Sequence, residues 1–542
     1  MSKTVAQLFV QSLLDNGIDQ LYCLPGVQND DFFDALYDQQ DKVSPIQARH
    51  EQGAAYMALG AALATGKPQA CCIVPGPGFL NAASAIATAY STNAPVMTIV
   101  GQIPSGAISK GFGLLHEITD QSGILAGLTK HATMINNGKN AASQLRHAWG
   151  LLCSGRPRPV GIEVPVNIWT ETAEAADSVS STSVIAPHPD HSSLDTALSL
   201  IHNAEAPMIA IGSGAQGVSQ LVTELAERLS APVTAFRNGN GVVSSDHALR
   251  INMPTGHRLW SDCDLLIGVG SRMQAQRMGW GVDENIKIIH IDIDEEELTR
   301  ISKPDAAIHA DAADALPLII EALGPQPDRS GWVEKVARVK QEVQKTLMSD
   351  LAPQAAWLSA IRDALPRDGI FVDELTQIGY VSRILFPSYS PRTFVSTGYQ
   401  GTLGWGVAAT TGAAHARRDV PVVGIAGDGG ALFTITELAT AVHHNIPATY
   451  IIFNDNAFGN VRRFQIEQYN NRPIASDLTS PDFVALARSF GVMAERAETP
   501  DALKSCLGQA VVNDGPNLIE VPAPSDLPSP WPHIMLPKIR GT

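Results

Sequence analysis

Apolar positions in this chain follow two rhythms. Short, mostly apolar runs at 70–74, 96–100, 160–164, 208–211, 265–269, 287–291, 422–426 and 448–453 read as buried strands. Between them lie longer stretches whose apolar residues recur at helical spacing, such as Ile435, Leu438, Ala439 and Val442. Strands alternating with helices in this way predict parallel sheets joined by crossover helices, an α/β class. Two polar segments interrupt the pattern: 170–193, rich in Thr, Ala, Ser and Pro, and 324–329. Both read as linkers, and a helical segment at 332–349 follows the second. The organisation predicted is three doubly wound parallel-sheet domains, at 1–169, 194–325 and 350–525, with 526–542 as a Pro-rich C-terminal arm carrying Trp531.

Composition agrees with a large enzyme. A length of 542 residues accommodates about three or four domains. Hydrophobic content of 44% and charged content of 17% describe a well-buried globular chain rather than a disordered one. A formal net charge of −16 argues against a nucleic-acid partner. Cys23, Cys71, Cys72, Cys153, Cys263 and Cys506 are scattered without a CxxC pair. That points to reduced core cysteines in a cytoplasmic protein rather than to a zinc site or a disulfide framework. The opening MSKTVAQLFVQSLLDNG reads as an amphipathic helix and lacks the features of a signal peptide. No uncharged apolar run reaches membrane-spanning length, so no membrane partner is expected.

The most informative chemistry lies in two turns. Gly427-Asp428-Gly429 closes the run 422–426, and Asn454-Asp455-Asn456 closes the run 448–453. The residues between them read as helix, turn and strand: Thr434 and Glu437 have capping-box spacing, and Asn445 and Pro447 end the helical run. A strand–helix–strand unit of this length puts its two strands side by side, roughly 5 Å apart. Asp428 and Asp455 then meet at the carboxyl edge of the sheet, where open α/β sheets bind ligands. Either turn alone is ordinary. Together they place two carboxylates that repel unless a cation lies between them, and a hard divalent ion that also grips a diphosphate fits.

Other small-residue junctions stand near charged or apolar singletons. Glu51 opens a helix at 50–64 that carries no other charge and contains Gly53, Ala54, Ala55, Ala58, Gly60, Ala61 and Ala62. It reads either as a helix-dipole partner, worth about 0.3–1 kcal/mol, or as a buried functional acid. Pro75-Gly76-Pro77-Gly78 closes one strand, with Asn81 following on a helix, and Leu24-Pro25-Gly26 closes another. Each is a rigid turn or a place where a ligand approaches the backbone. In Gly401-Thr402-Leu403-Gly404-Trp405-Gly406, glycines flank Leu403, which is otherwise an ordinary core residue type.

On these residues the chain resembles the thiamine-diphosphate enzymes of the acetohydroxyacid synthase, pyruvate oxidase and 2-oxo acid decarboxylase superfamily, with the acetolactate synthase large subunit branch most similar. The resemblance spans essentially the whole chain. It makes the three regions pyrimidine-binding, central Rossmann-like and diphosphate-binding domains. It implies that Asp428, Asp455 and the carbonyl of Ala457 hold Mg²⁺, and that Gly427, Gly429, Phe458 and Gly459 line the diphosphate end. Glu51 matches the glutamate that hydrogen-bonds the aminopyrimidine ring, a contact that prepares removal of the thiazolium C2 proton. Leu403 falls where the family places the aliphatic residue that bends the cofactor, and Gly401 belongs to the same turn. Gly26, Gly76 and Asn81 fall on loops lining the pyrimidine half. The resemblance also implies a homodimer or homotetramer with active sites between subunits. The reaction it implies is decarboxylation of a small 2-oxo acid, then joining of the remaining fragment to a second carbonyl.

Several positions depart from the acetolactate synthase pattern. Asp455 replaces the second Asn of the family motif. His116 replaces Gln in Gly111-Phe112-Gly113-Leu114-Leu115-His116-Glu117, and a histidine there is a candidate acid or base. Val27 follows Gly26 where pyruvate decarboxylases carry Asp. Phe464 replaces a Trp that favours the larger acceptor, and Arg462 and Arg463 beside it are candidate anchors for a substrate anion or ordinary surface residues. Met273-Gln274-Ala275-Gln276-Arg277 lacks the Asp-Asp-Arg of flavin-containing synthases, so FAD is slightly disfavoured. The alternatives are a non-oxidative decarboxylase releasing an aldehyde, a flavin-dependent oxidase, and a catalytically silent cofactor-binding subunit.

Overall fold

The computed structural model describes residues 3–174, 178–181, 186–524 and 526–541. Residues 175–177 and 182–185 of the expected linker, and residues 525 and 542 around the expected arm, lie outside the described residues. The described residues form three parallel six-stranded sheets with interleaved helices, the three α/β domains expected from the hydrophobic pattern. No described helix is long and apolar enough to cross a membrane.

The chain divides into two compact units, the first comprising 1–184, 397–497 and 506–523. Its N-terminal sheet runs in spatial order Ser44–Gln47, Gln20–Cys23, Gln69–Ile73, Val96–Gln102, Val160–Pro165 and His131–Met134. The chain leaves Gln20–Cys23 toward one edge and then fills the other side from Gln69–Ile73. The carboxyl ends of those two neighbours therefore flank a topological switch point, and the loops bearing Gly26 and Gly76 emerge there. Phe9, Phe32 and Trp169 pack ring against ring beneath this sheet. The same unit holds four strands of the last sheet, in order Val422–Gly427, Ala448–Asn454, Asn517–Pro522 and Met493–Arg496.

Two helices join these halves of the unit. Glu51–Thr65 is buried around almost its entire circumference, as its lack of charge predicts, and packs on Trp405–Ala416, which is equally buried. The glycines decide how closely. A Cβ on Gly60 would stand 2.2 Å from the carbonyl oxygen of Ala409, and one on Gly412 would stand 2.0 Å from that of Met57. Tyr22 and Tyr56 reach across as well, Tyr56 to Thr402 at 2.6 Å between hydroxyls.

The second unit, 185–396, 498–505 and 524–542, carries the middle sheet. Its spatial order is Ala306–His309, Lys287–Asp292, Leu265–Val269, Pro207–Ile211, Val233–Ala235 and Arg250–Ile251. The pair Ile370–Val372 and Phe394–Val395 of the last sheet also lies in this unit. Its C-terminal segment carries Arg540, whose buried guanidinium donates to the carbonyls of Trp260, Ser261 and Cys263 and pairs with Asp283.

One local expectation changes. The helix expected to start with a capping box at Thr434 begins at Glu437, with no side-chain cap. Both would-be capping side chains are taken by tertiary partners: Thr434 donates to the carbonyl of Gly404 at 2.8 Å, and Glu437 accepts from the backbone of Arg49 and His50.

The helix contact generates a paired test. Gly412→Ala is expected to destabilise the fold by about 1–3 kcal/mol, because backbone atoms must move. Gly127→Ala, in the exposed helix Gln121–Leu128 with open space at its Cβ, is expected to stabilise by about 0.5–1 kcal/mol. Denaturant unfolding of the two variants checks the opposite signs.

Candidate active site

Strands Val422–Gly427 and Ala448–Asn454 are parallel neighbours, with Gly427 opposite Phe453. Their carboxyl ends carry Asp428 and Asp455, whose carboxyl groups share a hydrogen bond. Burial and the neighbouring Asp428 charge push the Asp455 carboxyl up to about 6. Burial likewise raises Asp428. Below about pH 6 the pair therefore holds a proton, seated on Asp455, which a divalent cation would displace. Ser480 adds a third oxygen, donating to Asp428 Oδ2 at 2.5 Å. Among the described residues, no three His, Cys, Asp or Glu side chains come together as a metal cluster. A cation here would take two carboxylates and complete its shell with other oxygens, a donor set suited to Mg²⁺.

The turn after Asp455 is bent over this pair. Asn456 has φ +52°, Ala457 donates its N–H to Asp455 Oδ1 at 3.2 Å, and Asn456 accepts from Ser480 N–H at 3.2 Å. Ala457 is buried. The ring of Phe458 lies so close to Gly429 that a Cβ there would stand 2.7 Å from it. Gly459 opens the helix Gly459–Gln468, which carries Arg462, Arg463 and Phe464. Arg462 pairs with Asp477 at 2.8 Å and Arg463 with Glu467 at 3.6 Å, so both guanidinium groups have protein carboxylates beside them. Phe464 is half-buried and Val27 is exposed.

Glu51 is buried at the first turn of its helix, and its Oε2 accepts from Asn81 Nδ2 at 2.9 Å. His50 caps the same helix through Nδ1. Just before it, the buried carboxylate of Glu437 accepts from the N–H groups of Arg49 and His50, each at 3.1 Å, and a Cβ on Gly53 would strike it. The helix start that presents Glu51 is thus held by a second acid that sequence spacing had assigned to capping. Leu403 is half-buried in a loop between Gly401 at φ +61° and Gly404 at φ +81°. Those dihedrals favour glycine. A Cβ on Gly404 would meet Phe433 at 2.7 Å.

The loop of Gly76 and Gly78 ties Glu51 to His116. Gly76 has φ +58°, and a Cβ on it would stand 2.3 Å from the carbonyl oxygen of His116. A Cβ on Gly78 would stand 3.0 Å from Glu51 Oε1 and 2.5 Å from Val74 Cγ2; Val74 also blocks a Cβ on Gly26. Gly26, Gly76, Gly78, Glu51 and His116 therefore form one neighbourhood at the switch point of the first sheet. Gln121 accepts from Gly76 N–H at 2.8 Å and donates to buried Glu163 at 2.7 Å. His116, half-buried at φ +69°, faces Gln28 with its Nδ1 at 2.9 Å. A buried carboxylate beside glycine loops, and a paired-aspartate edge elsewhere in the same unit, suit the two ends of thiamine diphosphate.

Sequence reasoning missed Gln28, Gln121, Glu163 and Ser480. Ser480 lies 52 residues beyond Asp428, and no local pattern marks it. Gln28 directly follows Val27, so proximity to the Gly26 turn was the only available signal.

Comparison with known proteins places the chain in one family. Residues 3–124, 194–319 and 376–521 match the N-terminal TPP binding, central and C-terminal TPP binding domains of thiamine pyrophosphate enzymes. The chain is 32% identical to a probable acetolactate synthase large subunit of Methanocaldococcus jannaschii, over 95% of this chain and 91% of that protein. It is 30% identical to a probable 2-ketoarginine decarboxylase of Pseudomonas aeruginosa, over 96% and 94% of the two chains. It is 30% identical to the acetolactate synthase isozyme 1 large subunit of Escherichia coli, over 96% and 93%.

The carboxyl pair yields a pH test on metal-free protein. A carboxyl group whose folded-state pKa lies above its unfolded value stabilises the fold at low pH, and that contribution is lost as pH rises through about 6. In EDTA, Asp455→Asn is therefore expected to melt progressively higher than the unsubstituted protein as pH rises from 4 to above 6. Equal melting-temperature differences across that range, by differential scanning fluorimetry, would contradict the shared proton.

Proposed function

Because the chain belongs to the thiamine pyrophosphate enzymes and acts on 2-oxo acids, we propose that it decarboxylates a small 2-oxo acid and joins the remaining fragment to a second carbonyl, as acetolactate synthases do. The observation that carries this is the side-by-side pair of buried Asp428 and half-buried Asp455, together with the buried Glu51 held by Asn81. Thiamine diphosphate, when bound, supplies a carbon nucleophile and an electron sink. Asp428, Asp455 and the carbonyl of Ala457 would hold its Mg²⁺ and diphosphate, with Gly427, Gly429, Phe458 and Gly459 around them. Glu51 would take and return a proton at the aminopyrimidine, a transfer typically worth about 10²–10⁴-fold in rate. Gly26, Gly76 and Asn81 would shape the pyrimidine pocket, and Leu403 with Gly401 would hold the cofactor bent. His116 would carry a proton to or from the reacting fragment.

A second reading, release of an aldehyde, is favoured by His116 and Phe464, both departures from the synthase pattern, and by the similarity to a probable 2-ketoarginine decarboxylase. Under either reading a flavin-free middle domain is the one proposed, because Met273-Gln274-Ala275-Gln276-Arg277 lacks the Asp-Asp-Arg of flavin-containing synthases. A homodimer is the proposed minimum unit, with a homotetramer as the larger form and a cytoplasmic setting.

Holoenzyme given pyruvate is expected to release carbon dioxide and form acetolactate, with Glu51→Gln slower by about 10² or more. Acetaldehyde as the sole product would select the second reading. Mixing inactive Glu51→Gln with inactive Asp428→Asn protein, under conditions that exchange subunits, is expected to restore part of the activity. No restoration would place each site within one chain.

A further inference from the structure

We infer that Gln28 is a positioning residue that fixes the tautomer of His116, leaving Nε2 as the nitrogen that exchanges protons. This rests on the reading of His116 as a proton carrier. Gln28 is buried in the turn that follows Gly26. Three contacts lock the turn: Asn29 N–H donates to the carbonyl of Gly26 at 2.8 Å, Asn29 Nδ2 to that of Ile73 at 2.9 Å, and the buried Trp169 indole to that of Gln28 at 3.0 Å.

The side-chain amide of Gln28 has one orientation that satisfies both of its neighbours. Its Nε2 donates to the carbonyl of Leu115 at 3.2 Å, and its Oε1 faces His116 Nδ1 at 2.9 Å. Reversing the amide would set its oxygen against the oxygen of Leu115. An amide oxygen only accepts, so Nδ1 must carry the hydrogen and the neutral ring keeps its lone pair on Nε2.

The backbone of His116 is fixed from the other side, by its left-handed φ of +69° and by the close approach of Gly76 to its carbonyl. The adjacent Glu117 carboxylate accepts from Leu114 N–H at 2.9 Å and does not take up this role. Gln28 therefore does for His116 what a carboxylate does in a catalytic triad, selecting the tautomer, but without adding a negative charge.

The test is spectroscopic first. In holoenzyme with ring-¹⁵N-labelled histidine, the His116 signals, assigned by their loss in His116→Gln, are expected to show a protonated Nδ1 and an unprotonated Nε2 above neutral pH. The opposite tautomer would overturn the assignment, and this measurement needs no Gln28 variant. Gln28→Met removes the acceptor and is expected to mix the tautomers and lower kcat for carbon dioxide release by about tenfold or more. Gln28→Glu keeps an acceptor oxygen and is expected to restore the tautomer and most of the rate. If Gln28→Glu is as impaired as Gln28→Met, the tether to Leu115 is what matters and the inference fails. Should His116→Gln turn over normally, the proton-carrier reading fails, while the ¹⁵N signals still decide what Gln28 does.

Discussion

Two carboxyl groups set side by side repel each other as anions, and the sheet edge that carries Asp428 and Asp455 is organised around that repulsion. Asp428 and Asp455 close adjacent parallel strands, so the sheet itself forces them together. Without a cation they hold a proton below about pH 6, and Ser480 donates to Asp428 while Ala457 N–H donates to Asp455. The arrangement stores an electrostatic penalty that only a positive charge removes. The turn through Asn456 and Ala457, with its left-handed residue, keeps backbone groups facing the same point.

The neighbourhood of Glu51 and His116 is organised by close approach rather than by charge. Glycines at 26, 76 and 78 allow three loops to meet at the switch point of the first sheet, where Val74 and the carbonyl of His116 fill the space a Cβ would need. The buried amides of Gln28 and Gln121 then connect those loops. Glu51 and Glu437 sit on either side of one helix start, and they are not equivalent. Glu437 accepts from the N–H groups of Arg49 and His50 and from the Thr440 hydroxyl, whereas Glu51 accepts from the Asn81 side chain. That difference suits Glu51, rather than Glu437, to the proton exchange proposed for it.

Helix-on-helix packing ties the Glu51 helix to the Leu403 loop within the first unit. The Glu51 helix and the helix after Leu403 approach through glycine and alanine, so a displacement of one is felt by the other. The hydroxyl contact between Tyr56 and Thr402 adds a polar link from the acid-bearing helix to the Leu403 loop.

The sequence by itself determined the class of fold, the strand-closing aspartates and the buried Glu51 helix, because each is a local pattern: an apolar period, a turn chemistry, a charge-free run. It also marked the glycine loops, though not what they approach. Only the tertiary structure decided that Thr434 and Glu437 abandon a capping box, that Ser480 joins Asp428, and that Gln28 faces His116. These are contacts between residues far apart along the chain, set by the register of parallel strands and by loops converging at one sheet edge. No spacing in a linear sequence records which donor will be nearest once that edge has formed.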